Sequence, residues 1–266
     1  MKVEITYPKE PSEHVRLPIG YEKAGTRYRN VVIDELSGVD EALLSNKKKT
    51  GGNTAKGLTM VLARSIQEIE GLVPRKKNPD TPIDHTIPRM MYQVDRDFLF
   101  SRIQLLSEKD ETTLRGTCPK CNTVYEEDVL ISDRPVYEWP EDKPCEFEFE
   151  LKRGYTETKR NEDPVIHKSG ILRFPRGRDQ EAIALMASEN PGQAMTAMLA
   201  ACIKKLGDLD NIDQTITARI KSRDRKYLFN RIRDEVPGMK MWDIKTCFNC
   251  GHSNVEAMID ISAFFG

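Results

Sequence analysis

One nine-residue stretch occurs twice in the chain. The first occurrence is Asp95-Arg96-Asp97-Phe98-Leu99-Phe100-Ser101-Arg102-Ile103, and the second is Asp224-Arg225-Lys226-Tyr227-Leu228-Phe229-Asn230-Arg231-Ile232. Six of the nine positions are identical, and the offset between the two stretches is 129. The apolar residues recur at helical spacing. Similarity at a fixed offset indicates a repeated structural unit.

The cysteines keep the same offset. Cys118 and Cys121 form one CxxC pair, and Cys247 and Cys250 form a second pair in the same register without a gap. Upstream of the helices the match is weaker. Asp40-Glu41-Ala42-Leu43-Leu44 resembles Gln180-Glu181-Ala182-Ile183-Ala184 at an offset of 140, and residues 63–72 resemble residues 200–209 at an offset of 137.

These matches predict an α+β fold made of two divergent copies of one unit. Each copy is expected to contain a small sheet, about three helices, a CxxC knuckle and a closing strand. The first copy spans residues 1–133 and the second spans residues 145–266. Pro135, Pro140 and Pro144 mark residues 134–144 as an extended linker.

Within each copy the apolar spacing predicts the main helices. Leu58 to Leu72 is predicted as one helix, and so is the stretch from Met195 to Leu206. The run from Lys47 to Asn53 is predicted as a mobile loop. Asp95 and Asp224 are expected to cap their helices, because a carboxylate is favourable beside unpaired backbone N–H groups. The neighbouring arginines are expected to pair across the contact between copies.

The composition excludes several classes of protein. Charged residues make up 31% of the chain, yet the formal net charge is −1, which disfavours a general nucleic-acid or anionic-membrane binder. No apolar run approaches the about 18–20 residues that span a bilayer. The N-terminal residues lack the apolar region of a secretion signal, so we expect a reducing compartment and no disulfide framework.

The two CxxC pairs are best interpreted as metal ligands. A structural zinc ion takes four N/S ligands, and thiolates often come from two-residue knuckles. Asn122 and Gly251 follow the pairs, and both tolerate the positive φ that such a turn needs. We therefore predict that Cys118, Cys121, Cys247 and Cys250 bind one structural zinc at a pseudo-twofold axis between the copies.

Three alternatives for the cysteine pairs stay open at this point. A redox-active CxxC normally sits where a strand leads into a helix, and neither pair has that setting. A knuckle could recruit a histidine, and His252 is the one close by in sequence. The cysteines could also be packed without a metal. Cys145 and Cys202 are expected to be small core residues.

No catalytic motif is recognisable, and the chain is predicted not to be an enzyme. The stretch from Gly51 to Gly57 lacks the GK[ST] ending of a phosphate-binding loop. The four histidines occur in no metalloprotease or nucleophile-elbow context. Lys47–Lys49 and Arg75–Lys77 could contact nucleic acid, but solvated loops are the simpler interpretation.

The order of these features resembles the T4-type baseplate protein family of contractile-tailed bacteriophages. The resemblance is carried by residues 40–44, 58–72, the Asp95-Arg96-x-Phe98-Leu99 segment and Cys118-Pro-Lys-Cys121. It implies a structural or adaptor component of the tail baseplate, assembled in the host cytoplasm and binding hub or tube proteins in a hetero-oligomeric assembly. The alternatives are an assembly chaperone absent from the virion and a zinc-ribbon nucleic-acid binder.

Overall fold

The computed structural model describes residues 2–6, 12–44, 47–107 and 109–259, and structural statements concern these residues. Helices and strands both contribute, so the predicted mixture of helix and sheet is confirmed. The elements of the N-terminal part are β1 (Val3–Ile5), β2 (His14–Lys23), β3 (Thr26–Ile33), α1 (Gly38–Leu44), α2 (Lys47–Thr50), α3 (Thr54–Ser65), β4 (Ile66–Ile69), α4 (Thr86–Met90), α5 (Gln93–Leu106), β5 (Glu111–Thr117), β6 (Val124–Leu130) and β7 (Val136–Glu138).

The C-terminal part continues with a similar succession. Its elements are β8 (Glu146–Glu157), β9 (Val165–Arg173), α6 (Gly177–Glu189), α7 (Pro191–Cys202), β10 (Ile203–Leu206), α8 (Gln214–Arg219), α9 (Ser222–Glu235), β11 (Gly238–Met239), β12 (Trp242–Lys245) and β13 (Val255–Ile259). No helix among the described ranges is both long and apolar enough to cross a membrane.

Two three-stranded antiparallel sheets have the same strand order. One is β2-β3-β4 and the other is β8-β9-β10, and in both a helix leads directly into the third strand. Each sheet covers a separate apolar core. Leu99 and Ile103 of α5 contribute to the first core, and Leu228 and Ile232 of α9 contribute to the second.

The predicted long helices are each a helix followed by a strand. α3 ends at Ser65, and Ile66 takes an extended conformation with φ −67° and ψ 116°. Ile66 and Ile69 then pair with β3, while Ile203 and Leu206 pair with β9 in the same way. The prediction of helix to Leu72 and to Leu206 is therefore wrong. Apolar residues three apart suit a helix, but pairing with a neighbouring strand also buries them.

The predicted loop and linker also contain regular structure. Lys47–Thr50 form α2, and only the following Gly51 and Gly52, at φ 65° and 77°, turn the chain towards α3. Within the proline-rich segment 134–144, β7 pairs with both β1 and β11. This segment is extended, as expected, but it is a central strand rather than a simple connection.

The two parts of the chain share a buried contact. Phe174, fully buried, packs edge-on against Trp139 with ring centroids 4.8 Å apart and belongs to a cluster that also contains Ile19 and Tyr92. Helix α6 packs against α3, α4 and α5 of the N-terminal part as well as against its own neighbour α7. The two cores are thus joined by a third apolar cluster with residues from both parts of the chain.

Candidate metal centre

Each CxxC pair forms the turn of a β-hairpin. The Cys118 N–H donates to the Thr123 carbonyl, and the Asn122 N–H donates to the Cys118 carbonyl. The second turn, between β12 and β13, repeats both bonds, from Cys247 to His252 and from Gly251 to Cys247. Asn122 and Gly251 have φ angles of 57° and 68°, which confirms the predicted left-handed position after each pair.

One four-stranded sheet brings the two hairpins together. Its strand order is β12-β13-β5-β6, and β13 pairs with β5 through Ala257–Gly116, Met258–Arg115 and Ile259–Leu114. The hairpins therefore lie in tandem, and both turns are at the same end of the sheet. The predicted pseudo-twofold relationship is wrong for the strands, because a twofold axis would place equivalent strands at the centre.

The four cysteine sulfurs form a compact cluster. All lie within 4.8 Å of one another, and the Cys118–Cys250 and Cys121–Cys247 sulfur pairs are 3.6 Å apart. A tetrahedral ion with metal–sulfur bonds of about 2.3 Å requires sulfur separations of about 3.8 Å. A disulfide requires about 2.05 Å, and all six cysteines are free thiols. The arrangement is compatible with metal binding.

The surroundings of the cluster act differently on its two partly exposed thiols. Cys118 and Cys247 are buried, whereas Cys121 and Cys250 are partly exposed. Hydrogen bonds from the hydroxyl and backbone N–H of Thr123 lower the pKa of Cys121 to about 6. The His252 backbone N–H lowers the pKa of Cys250, but desolvation and the three nearby sulfurs outweigh it and raise the pKa to about 12. Four thiolates this close need a cation between them.

This geometry bears on the alternative roles of the CxxC pairs that the sequence left open. Within the described ranges the metal-ligating cluster consists of the four cysteines and includes no histidine. His252 contributes its backbone carbonyl to the second turn. Neither pair leads from a strand into a helix, because both lie in hairpin turns between strands. A redox pair of the thioredoxin type therefore does not fit.

Cys145 and Cys202 lie outside the cluster. Both are buried, and burial raises the pKa of each thiol to about 12. The Cys145 sulfur lies 3.7 Å from a Glu22 carboxylate oxygen, and the Cys202 sulfur lies 3.7 Å from the sulfur of Met198. Both behave as the core residues that were expected.

The two helix-start aspartates do not cap their own helices. Both oxygens of Asp95 accept backbone N–H groups, from Ile19 and Gly20 of β2, at 2.9 Å. Asp224 accepts from three consecutive N–H groups of β8, at residues 152–154, at 3.0–3.2 Å. The capping prediction is wrong, although both aspartates do lie in the first turns of their helices. Each carboxylate instead fixes the irregular centre of a long strand, where a glycine has positive φ.

The neighbouring arginines do not pair across the contact between the parts. Arg96 donates to the Ala55 carbonyl at 2.7 Å, and Arg225 donates to the Gly192 carbonyl at 3.2 Å. Ala55 and Gly192 occupy the same position in the first turns of α3 and α7. Each arginine therefore ties the aspartate-bearing helix to the preceding long helix of its own part.

Two residues at the site have no signal in the sequence. Thr123 lies with its hydroxyl 3.1 Å from the Cys121 sulfur, and the side-chain amide of Asn249 donates to that hydroxyl at 3.1 Å. This bond links the two knuckles directly. Neither residue is of a type that ligates zinc, so the ligand spacing does not single it out in advance.

The comparisons with known proteins give no family assignment. No protein-family model, no curated protein and no solved structure matches the chain.

Proposed function

We propose that Cys118, Cys121, Cys247 and Cys250 bind one structural zinc ion that fastens the two hairpins together. The observation that carries this proposal is the set of four sulfurs, brought together at nearly tetrahedral spacing from two pairs that lie far apart in sequence. Zinc suits an all-thiolate tetrahedral site. Four thiolates leave no open coordination position for water or substrate, so the ion would be structural rather than catalytic. With no catalytic motif recognisable in the sequence, we also propose that the protein is not an enzyme.

We further propose that the chain contains two divergent copies of one unit. The start and the end of α5 correspond to those of α9 at the offset of the repeated stretch. Asn53 and Asn190 both cap the following helix by accepting an N–H three residues on. Gly20 and Gly154 both have positive φ and both donate to the helix-start aspartate. One difference lies in the strand register, because the β12–β13 pairing is shifted by one residue relative to the β5–β6 pairing.

The shared contacts improve the alignment of the upstream segments. Asp40 accepts the Ser37 N–H, and Asp179 accepts the Arg176 N–H, in each case three residues before. Asp40 therefore corresponds to Asp179 at an offset of 139, rather than to Gln180 at 140. The same offset aligns the first residues of the two helices, Gly38 in α1 and Gly177 in α6.

The role that we propose is a structural or adaptor component of a contractile phage tail baseplate, binding hub or tube proteins within the virion. The assignment to a phage tail rests on the resemblance of residues 40–44, 58–72 and 95–99 and the first CxxC pair. A rigid, metal-fastened pair of units without an open coordination position suits repeated protein contacts better than catalysis.

Metal analysis of the purified protein tests the zinc site. About one zinc ion per chain is expected for four-thiolate ligation. Cys118→Ser and Cys250→Ser should each reduce the zinc content severalfold. Cys145→Ser is the matched control, since this cysteine is buried outside the cluster, and it should retain zinc. Full zinc content in both ligand variants would remove the proposal.

Mass spectrometry of purified virions tests the proposed location. The chain should be present at a constant ratio to other tail proteins. A chain that accumulates in infected cells but is absent from virions would support the assembly-chaperone alternative instead. Salt-dependent binding to DNA or RNA would favour the zinc-ribbon alternative, because phosphate contacts release counterions.

A further inference from the structure

The corresponding faces of α5 and α9 have different surroundings. On α5, Arg96, Phe100 and Gln104 are all at most 3% exposed. Their counterparts on α9, at the offset of the repeated stretch, are Arg225, Phe229 and Arg233. Phe229 is 38% exposed, and the other two are partly exposed. The same face is thus buried in one unit and open in the other.

Helix α6 contacts this face in the N-terminal unit. Gly177 at its start lies against Arg96, and the Gln180 side-chain amide lies 3.4 Å from an Asp97 carboxylate oxygen. The Asn53 side chain donates to the Glu181 carbonyl at 2.7 Å, which links α6 to the start of α3. These contacts place the first two turns of α6 across α3 and α5.

The open face of the C-terminal unit forms a shallow concave surface between α7 and α9. We name it the α7/α9 surface. It is lined by Met195 of α7, by Arg225, Lys226, Phe229 and Arg233 of α9, and by Glu256 of β13. Among these, Arg225, Phe229 and Arg233 are the counterparts of the covered Arg96, Phe100 and Gln104. Its counterpart in the N-terminal unit carries Asp97 where the α7/α9 surface carries Lys226. The open surface therefore combines an apolar centre with added positive charge.

Helix α1 is the N-terminal counterpart of α6, and its first two residues are open among the described residues. Gly38 corresponds to Gly177, but no heavy atom of the described residues lies within 4 Å of where its Cβ would be. Val39 is 60% exposed. Position 41, which corresponds to Gln180, is a glutamate. In the contact within one molecule, Gln180 lies beside Asp97. The corresponding residues of the open surfaces are Glu41 and Lys226, which have opposite charges.

We propose that the chain associates with further copies of itself from head to tail, with α1 of one molecule docking on the α7/α9 surface of the next. This contact repeats between molecules the contact that α6 makes within one molecule. Gly38 would lie over Arg225, as Gly177 lies against Arg96. The sequence then pairs an acidic residue at position 41 with a basic residue at position 226. Because the two surfaces are different, the growing assembly always keeps one free α1 at one end and one free α7/α9 surface at the other. Association therefore continues until a ring closes or a partner caps an end.

Two variants that each lose one surface test the geometry. Gly38→Trp blocks α1 at a position with open space, and Lys226→Glu combined with Phe229→Glu disrupts the α7/α9 surface at exposed side chains. Sedimentation velocity over a range of concentrations should show the unmodified chain growing beyond a dimer. Each variant alone should associate at least about tenfold more weakly, as expected for loss of a central contact.

Mixing the two variants gives the decisive result. Each retains the surface that the other lacks, so an equal mixture should form a dimer and stop there. Circular dichroism and melting temperature check that both variants fold. Lys226→Glu alone should also weaken association, and adding Glu41→Lys to it in the same chain should restore association. Growth of the single variants at the unmodified level, or a monomeric unmodified chain, would overturn the proposal. So would association that appears only after removal of residues 260–266, because that would assign the surface to this segment.

Discussion

The guanidinium group of Arg96 occupies the space that a side chain at Gly177 would need. A Cβ atom at residue 177 would lie 1.6 Å from Nη1 and 2.6 Å from Cζ of this fully buried arginine. The arginine cannot swing into solvent, because α6 covers it. This single contact therefore couples the start of α6 to α5.

Replacing this glycine by alanine tests the coupling. Gly177→Ala should lower the free energy of unfolding by about 1–3 kcal/mol, since the added methyl group overfills a packed site. Gly38→Ala is the matched control at the equivalent position of α1, where the space is open. It should stay within about 0.5 kcal/mol of the parent. Urea denaturation of both variants measures the difference, and equal effects would contradict the contact.

The aspartate at the start of α9 gives a second prediction. Asp224→Ala removes the acceptor of three backbone N–H groups of β8, so it should cost about 2–3 kcal/mol of stability. Asp224→Asn keeps one oxygen acceptor and should cost less. Asp234→Ala on the same helix is the control, because that side chain is 52% exposed and its ion pair with Arg233 is weak. A similar loss in all three variants would argue against this role.

A third prediction concerns acid pH. Partial burial would raise the pKa of Asp243, but hydrogen bonds from Arg134 and Lys240 outweigh it and lower the pKa to about 2. The folded state thus prefers the charged carboxylate. Its contribution is fully present above the ordinary pKa of 3.8 and is lost as the pH falls through about 2.

The variant Asp243→Asn should therefore be less stable than the parent by about 2 kcal/mol at pH 7. The difference should shrink below pH 4, and urea denaturation at a series of pH values would measure it. Acid releases any bound metal from parent and variant alike, so the difference between them reports on residue 243. A difference that grows on acidification would have the wrong sign for a depressed pKa.

Metal removal gives a fourth prediction. If the ion fastens the two hairpins, a chelator should lower the melting temperature of the parent. The free energy of unfolding should fall by on the order of several kcal/mol. Cys247→Ser should already have the lower value and should not respond to the chelator. Differential scanning calorimetry with and without chelator checks both statements. A parent that melts identically in both conditions would show that the cysteines pack without a metal.

The site could be predicted from the sequence because its spacing is local and repeated. Two residues between cysteines and a residue that tolerates positive φ define a knuckle within five positions. The equal offset of both pairs then predicts that they lie in similar turns, and both do lie in hairpin turns. What the offset does not specify is how the hairpins meet. The β13–β5 pairing is a long-range contact, and it produces a tandem order where symmetry was expected.

The errors in the fold prediction have a common physical origin. The residues at 66 and 69 continue the helical spacing of α3, yet hydrogen bonding to β3 draws them into a strand. Asp95 has the sequence position of a helix cap, but it accepts hydrogen bonds from N–H groups of β2. One of these donors, Gly20, lies 75 residues earlier in sequence. In each case a partner distant in sequence overrides a sound local preference.

Zinc K-edge X-ray absorption of the purified protein most directly tests whether one ion holds sulfurs from both hairpins. The spectrum should fit four sulfur neighbours at about 2.3 Å and no nitrogen or oxygen ligand. Two sulfurs together with light-atom ligands at about 2.0 Å would mean that only one knuckle binds the metal. That result would contradict the shared site and leave the two hairpins joined by their strands alone.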